Sequence, residues 1–167
     1  MQSSVVNKFQ ATGIPGEFSR SHNQESRGAI INSATEANNV VGRVVNTFDG
    51  TDNNVGVAAN GNFAGILCNP KTSIRPSLTA QAFLPNESQV DVAERGYLFV
   101  TLAAVAANGD FVYYADATGI LATAPPETTA PASHTRLPGG LVKGSNVTGA
   151  GVAEIYFDMA GTAAKTA

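Results

Sequence analysis

Apolar and polar residues alternate with a period of two along much of the chain, the signature of strands with one face buried. In residues 77–84, Leu78, Ala80, Ala82 and Leu84 share one face while Ser77, Thr79 and Gln81 share the other. In residues 152–158, Ala153, Ile155 and Phe157 point one way, and Glu154, Tyr156 and Asp158 the other. Further strands are predicted at 28–31, 40–48, 55–59, 63–68, 90–93, 97–102, 111–114 and 120–123. Residues 97–102 are apolar on both faces, which marks a central strand. Turn residues separate these runs. Asp49 to Asn54 reads as a loop, Asn60-Gly61-Asn62 as a hairpin turn, and 116–119 as a type I turn closed by a glycine bulge. Residues 124–136, with Pro125, Pro126 and Pro131, read as a long loop, and 140–143 lead into a Gly-Ser-Asn turn. The best helix candidate is the alanine-rich stretch 100–107, and no helical pattern recurs between strands. Nine or ten short strands at this spacing predict an all-β sandwich or barrel.

The ends read differently. Residues 1–27 contain Gly13, Pro15 and Gly16, and 19–27 hold no large apolar side chain. An extended N-terminal arm is expected there, with a disordered terminus as the alternative. The β domain is assigned to 28–160, and 161–167 to a frayed tail.

Composition narrows the function. Ten basic and 13 acidic residues give a net charge of −3, with no basic cluster to follow phosphates, so nucleic acid is not an expected partner. The longest apolar run, 98–107, is interrupted by Thr101 and is too short to cross a bilayer. The first nine residues lack the basic start and apolar run of a signal peptide, and the one cysteine, Cys68, forms no internal disulfide. A soluble protein that folds in a reducing cytoplasm is expected. Charged residues make up only 14%, which suits a surface that is desolvated in an assembly.

Catalytic chemistry finds few candidates. The two histidines, His22 and His134, fall in the arm and in the proline-rich loop, away from any rigid element. Cys68 on an apolar strand reads as a small core residue, and zinc would need three more donors. The oxygen-rich run 49–54 lacks the EF-hand order. The glycines of 144–151 lack the Lys-Ser/Thr end of a phosphate loop. The sequons at Asn86 and Asn146 carry no meaning without secretion. No enzymatic activity, cofactor or metal is expected.

Read in order, the pieces Gly13-Ile-Pro-Gly-Glu-Phe18, Val41-Gly-Arg-Val44, Phe63-Ala-Gly-Ile66, Arg95-Gly-Tyr-Leu-Phe-Val100, Asn108-Gly-Asp-Phe-Val-Tyr113, Ala117-Thr-Gly-Ile-Leu121 and Gly151-Val-Ala-Glu-Ile155 resemble the structural cement proteins of tailed bacteriophages. The resemblance runs from about Gly13 to Phe157, and the loop 124–136 matches no expected feature of it. It implies a single antiparallel β-barrel or jelly-roll-like domain on the outer face of the virion capsid, made in the host cytoplasm. It also implies that the protein joins subunits of the phage major capsid protein and acts as a dimer or trimer. An arm that orders on binding would supply contacts, with Ile14, Phe18 and Arg20 as the expected anchors. The other reading of Ile14 and Phe18 is that they cap the end of the barrel. The alternative function is a carbohydrate- or receptor-binding β module. Against it stand the absence of Trp and the small number of Tyr, of which Tyr113 and Tyr114 are adjacent and face opposite ways.

Overall fold

The computed structural model describes residues 13–48, 51–57, 61–68, 83–144 and 147–160. They form nine strands in chain order: β1 (Glu25–Ile31), β2 (Val44–Phe48), β3 (Thr51–Gly56), β4 (Phe63–Leu67), β5 (Gln89–Leu102), β6 (Phe111–Ala115), β7 (Leu121–Ala124), β8 (His134–Lys143) and β9 (Gly151–Asp158). Helical structure among the described residues is limited to a 3-10 turn, Glu36–Asn38, inside the polar connection that follows β1. The predicted helix at 100–107 does not form. Residues 100–102 complete β5, because Val100 and Leu102 are fully buried in alternation with Thr101.

All nine strands lie in one sheet of order β1-β3-β2-β4-β5-β9-β8-β6-β7, and β1 also pairs with β5. The pairings of β1, β3, β2, β4 and β5 therefore return on themselves. Four of the five pairings are antiparallel, and the fifth, β1 with β3, is parallel. This corrects the expectation of a purely antiparallel sheet. Strand direction can alternate around a closed circuit only when the number of strands is even. A circuit of five must contain a parallel neighbour pair.

Two apolar clusters lie on either side of the wall made by β2, β4 and β5. One holds Ala29, Ile31, Val45, Val55, Leu67, Val90 and Val92, enclosed by the five-strand circuit. The other holds Val44, Ile66, Leu98, Val100, Leu121, Leu137, Ile155 and Phe157, enclosed by β5, β9, β8, β6 and β7. Adjacent residues such as Val44 and Val45, or Ile66 and Leu67, thus serve different cores. This explains why β4 reads as a continuous apolar run. Each such fully buried side chain contributes roughly 1.5–3 kcal/mol relative to exposure.

β5 serves both cores. The sequence places separate strands at 90–93 and 97–102, with Glu94-Arg95-Gly96 between them. The chain instead continues through it as one 14-residue strand. Gly96 takes a φ of 138° and pairs with Phe157 of β9, and next to it the β1–β5 ladder shifts register between Glu25 and Ser26, opposite Arg95 and Ala93. A glycine at this φ re-aims the strand without ending its ladder.

Other boundaries moved for physical reasons. β3 starts at Thr51, inside the expected loop 49–54, with Thr51 and Asn53 exposed. β1 starts at Glu25, inside the stretch assigned to the arm. Glu25, Ser26 and Gly28 are exposed on it, so their polarity reflects the solvent face. β8 begins at His134, which shortens the proline-rich loop to residues 125–133, and it absorbs 140–143. The predicted 116–119 turn is present. Gly119, at φ 64°, donates to the carbonyl of Ala115 at 2.8 Å, and its own carbonyl accepts from Val44 N–H at 3.0 Å. The inward set Ala153, Ile155 and Phe157 of β9 is buried as expected. The predicted strand 77–84 lies outside the described residues except for its last two, as do the first twelve residues of the arm and the tail 161–167.

Candidate interaction surface

Residues 13–20 form a strap along the edge of β5. Gly16 N–H donates to Phe99 O at 2.7 Å, Phe99 N–H to Glu17 O at 2.9 Å, and Ser19 N–H to Tyr97 O at 2.9 Å. Phe18 forms an antiparallel bridge with Leu98. Residues 25–30 then pair with 89–95, so one stretch of chain runs antiparallel down nearly the whole of β5. The strap covers a strand edge that would otherwise offer unpaired backbone groups.

Side chains reinforce it. Phe18 packs half-buried against the larger core, and its ring lies over Gly96, where an added Cβ would come within 3.0 Å of it. Arg20 forms a fork with Glu154 of β9, Nε to Oε1 at 3.0 Å and Nη2 to Oε2 at 2.8 Å. Ser19 Oγ also donates to Glu154 Oε1. The Arg20 hydrogen bonds, then that of Ser19 and the Arg20 charge, hold the Glu154 carboxyl below its ordinary range, although burial opposes them. The same hydrogen bond with Glu154 pushes the Arg20 guanidinium up. Arg20 also sits 4.0 Å from the centre of the Tyr97 ring. Tyr97 in turn packs against His22 at 5.6 Å and Tyr156 at 4.9 Å between centroids. Two further ion pairs, Arg27 with Glu94 at 2.5 Å and Glu25 with Arg95 at 3.0 Å, tie β1 to β5.

The three expected anchors therefore part company. Ile14 is 54% exposed, Phe18 faces inward, and Arg20 is latched on the outer face of the sheet. Sequence reasoning placed Glu154 and Tyr156 on an outward face but did not find them as the strap's partners. The only available signal was their position on β9, and the separation of 134 residues between Arg20 and Glu154 hides the pairing.

The remaining candidate chemistry is dispersed. His22 packs on Tyr97, and His134 Nδ1 lies 2.7 Å from the carbonyl of Ala132. Among the described residues no three His, Cys, Asp or Glu side chains are grouped to hold a metal. Cys68 is buried and not disulfide-bonded. Asn86 is committed to structure. Its Oδ1 accepts from Ser33 N–H and Asn39 Nδ2, its Nδ2 donates to Ser33 O, and its N–H donates to Glu36. Tyr113 and Tyr114 are both buried, so neither offers an open ring to a sugar, and Tyr97 and Tyr156 pack on each other at a tilt. No helix among the described residues is long and apolar enough to cross a membrane.

A second feature lies at the end of the sheet where β5 finishes. Val40, Val41 and Arg43 from the turn before β2, Thr101 and Ala103 at the end of β5, and Ile120 and Leu121 at the start of β7 line a groove of about 240 Å³. Pro15 of the strap lies against Gly42 at its rim.

The chain matches the family described as "Structural cement protein (E217 gp24/Pam3 gp6)" over residues 1–158. A search of the curated proteins finds no match. Among solved structures, a chain of "The capsid of Myoviridae Phage XM1" is similar in fold. It has a TM-score of 0.62 and 18% identity, covering 92% of this chain and 95% of that one. With the family pattern running through the strap, both cores and the final strand, this chain belongs to the structural cement protein family of phages.

Proposed function

We propose that the protein is a head-decoration subunit that adheres to the outer surface of a tailed-phage capsid. There it joins neighbouring major capsid protein subunits and strengthens the shell. The observation that carries this reading is the family match across residues 1–158. The similarity of fold to a phage capsid chain supports it. The role asks for no catalytic step, only for surface buried across a seam between subunits, and many copies on one shell supply avidity. The subunit acts as a dimer or trimer, is made in the host bacterial cytoplasm, and resides on the virion exterior. Of the three expected anchors, Ile14 is assigned to the capsid, because Phe18 and Arg20 are engaged within the subunit.

The test is co-sedimentation of the purified protein with undecorated, expanded heads of its own phage. Saturable binding at a fixed ratio to the major capsid protein is expected, and the ratio reports the symmetry position occupied. Absence of binding at micromolar concentration would overturn the proposal in favour of a receptor- or glycan-binding module.

A further inference from the structure

The groove at the end of β5 combines two properties that no internal partner resolves. Its walls are mostly apolar, with Val40, Val41 and Leu121 beside Thr101 and with Ile120 38% exposed. Its charged group is Arg43, which is partly buried and whose hydrogen bonds go to neutral acceptors. Nη1 donates to Asn38 Oδ1 at 2.8 Å and approaches the carbonyls of Asn38 and Thr118 at 3.4 Å. No carboxylate among the described residues forms an ion pair with it, whereas Arg20, Arg27 and Arg95 each have one. Burial pushes the Arg43 guanidinium down, and no neighbouring negative charge opposes that shift. A cation withdrawn from water without a counter-charge is stabilised by any carboxylate delivered to it, most of all when apolar contacts exclude solvent around the pair.

We propose that this groove receives a segment of the major capsid protein that presents an apolar side chain beside a carboxylate. The apolar group fills the space between Val40, Val41 and Ile120, and the carboxylate pairs with Arg43. The inference rests on the capsid-binding reading above and specifies its contact. The groove's charge and lining select this occupant. A sugar would leave the apolar walls unmatched, and an uncharged apolar peptide would leave the cation alone. The exposed Ile14 precedes Pro15, which lies against Gly42 of the groove.

The experiment compares wild type, Ile120→Glu and Arg43→Gln for binding to undecorated heads, with melting curves and sedimentation velocity on each free protein. Ile120 is exposed, so its variant keeps the wild-type fold and melting curve, while its capsid affinity drops about tenfold or more. Arg43→Gln weakens binding similarly and flattens its dependence on salt. Wild-type binding with both variants unimpaired would overturn the groove and leave the decoration role standing. Failure of wild type itself to bind would overturn the decoration role and the groove with it. Dissociation of a free oligomer by Ile120→Glu would reassign the groove to a second copy. Loss of the Ile120→Glu effect in a chain lacking residues 1–12 would reassign it to the protein's own N-terminus. Either reassignment would overturn the proposal.

Discussion

Replacing Phe18 with alanine distinguishes a strap that belongs to the domain from an arm that waits for a partner. A fully buried phenylalanine costs about 3–5 kcal/mol on truncation to alanine, from lost transfer energy and the cavity left behind. Phe18 is half-buried against Leu98 and the larger core, so about half of that, roughly 2 kcal/mol, is at stake. For a chain of 167 residues, each kcal/mol shifts the melting temperature by about 2–4 °C, so a fall of about 4–8 °C is expected. The local signature is sharper. The amides of Gly16, Ser19 and Phe99 donate the strap's hydrogen bonds, and their exchange should accelerate by a factor of about 30. Amides of β1 and of the smaller core should keep their protection, because the β1–β5 ladder does not depend on Phe18. A melting temperature within about 1 °C of wild type and unchanged exchange at these three amides would refute the packing argument. Phe18 would then return to the candidates for direct capsid contact.

The latch between Arg20 and Glu154 predicts a pH dependence. Its carboxyl is depressed below the ordinary 4.5, so its stabilisation is fully present above that value and is lost as pH falls through the lower, folded value. Wild type should therefore melt above Glu154→Gln from pH 7 to about 5, and the gap should close as acid protonates Glu154; a gap that persists unchanged to pH 3 would count against the latch. Gly119→Ala places a side chain at φ 64° and drives its Cβ onto the Val44 carbonyl, so a loss of about 2 kcal/mol is expected in urea unfolding. An unchanged urea midpoint would show that the 116–119 turn relaxes away from β2 freely.

What the sequence revealed was local. The turn at 116–119 and the inward face of β9 followed from residue type and period, because hairpins and alternating strands are decided by neighbours in the chain. The polar starts of β1 and β3 read as arm and loop, since a strand segment without apolar side chains carries no alternation to announce it. Glu94-Arg95-Gly96 looked like a break because glycine punctuates sequence in both cases, whether it ends a strand or bends one. The parallel β1–β3 pair was beyond reach for a different reason. It follows from how many strands close the circuit, a property of the whole assembly that no segment carries. At the candidate surface, the residue types of Ile14, Phe18 and Arg20 were legible but their orientations were not, because Leu98 and Glu154, which orient two of them, are far away in sequence.

The covered edge of β5 bears on how adhesion works. Binding by strand addition across subunits needs open sheet edges and asks little of side chains. In the described sheet, every strand except β7 has a neighbouring strand on both sides, and the strap occupies the remaining edge of β5. Thr123 of β7 further engages the carbonyl of Val105. Strand addition along β5 would first have to displace the strap, with its three backbone hydrogen bonds and the packing of Phe18. Side-chain contact at the groove requires no such displacement, because Ile120 and Arg43 already line it and Ile120 is exposed. With the strap in place, the edge of β5 is also closed to strand pairing with other copies of the chain. On the proposed reading, the apolar and charged groove then carries recognition of the capsid through side chains, with no strand added to the sheet.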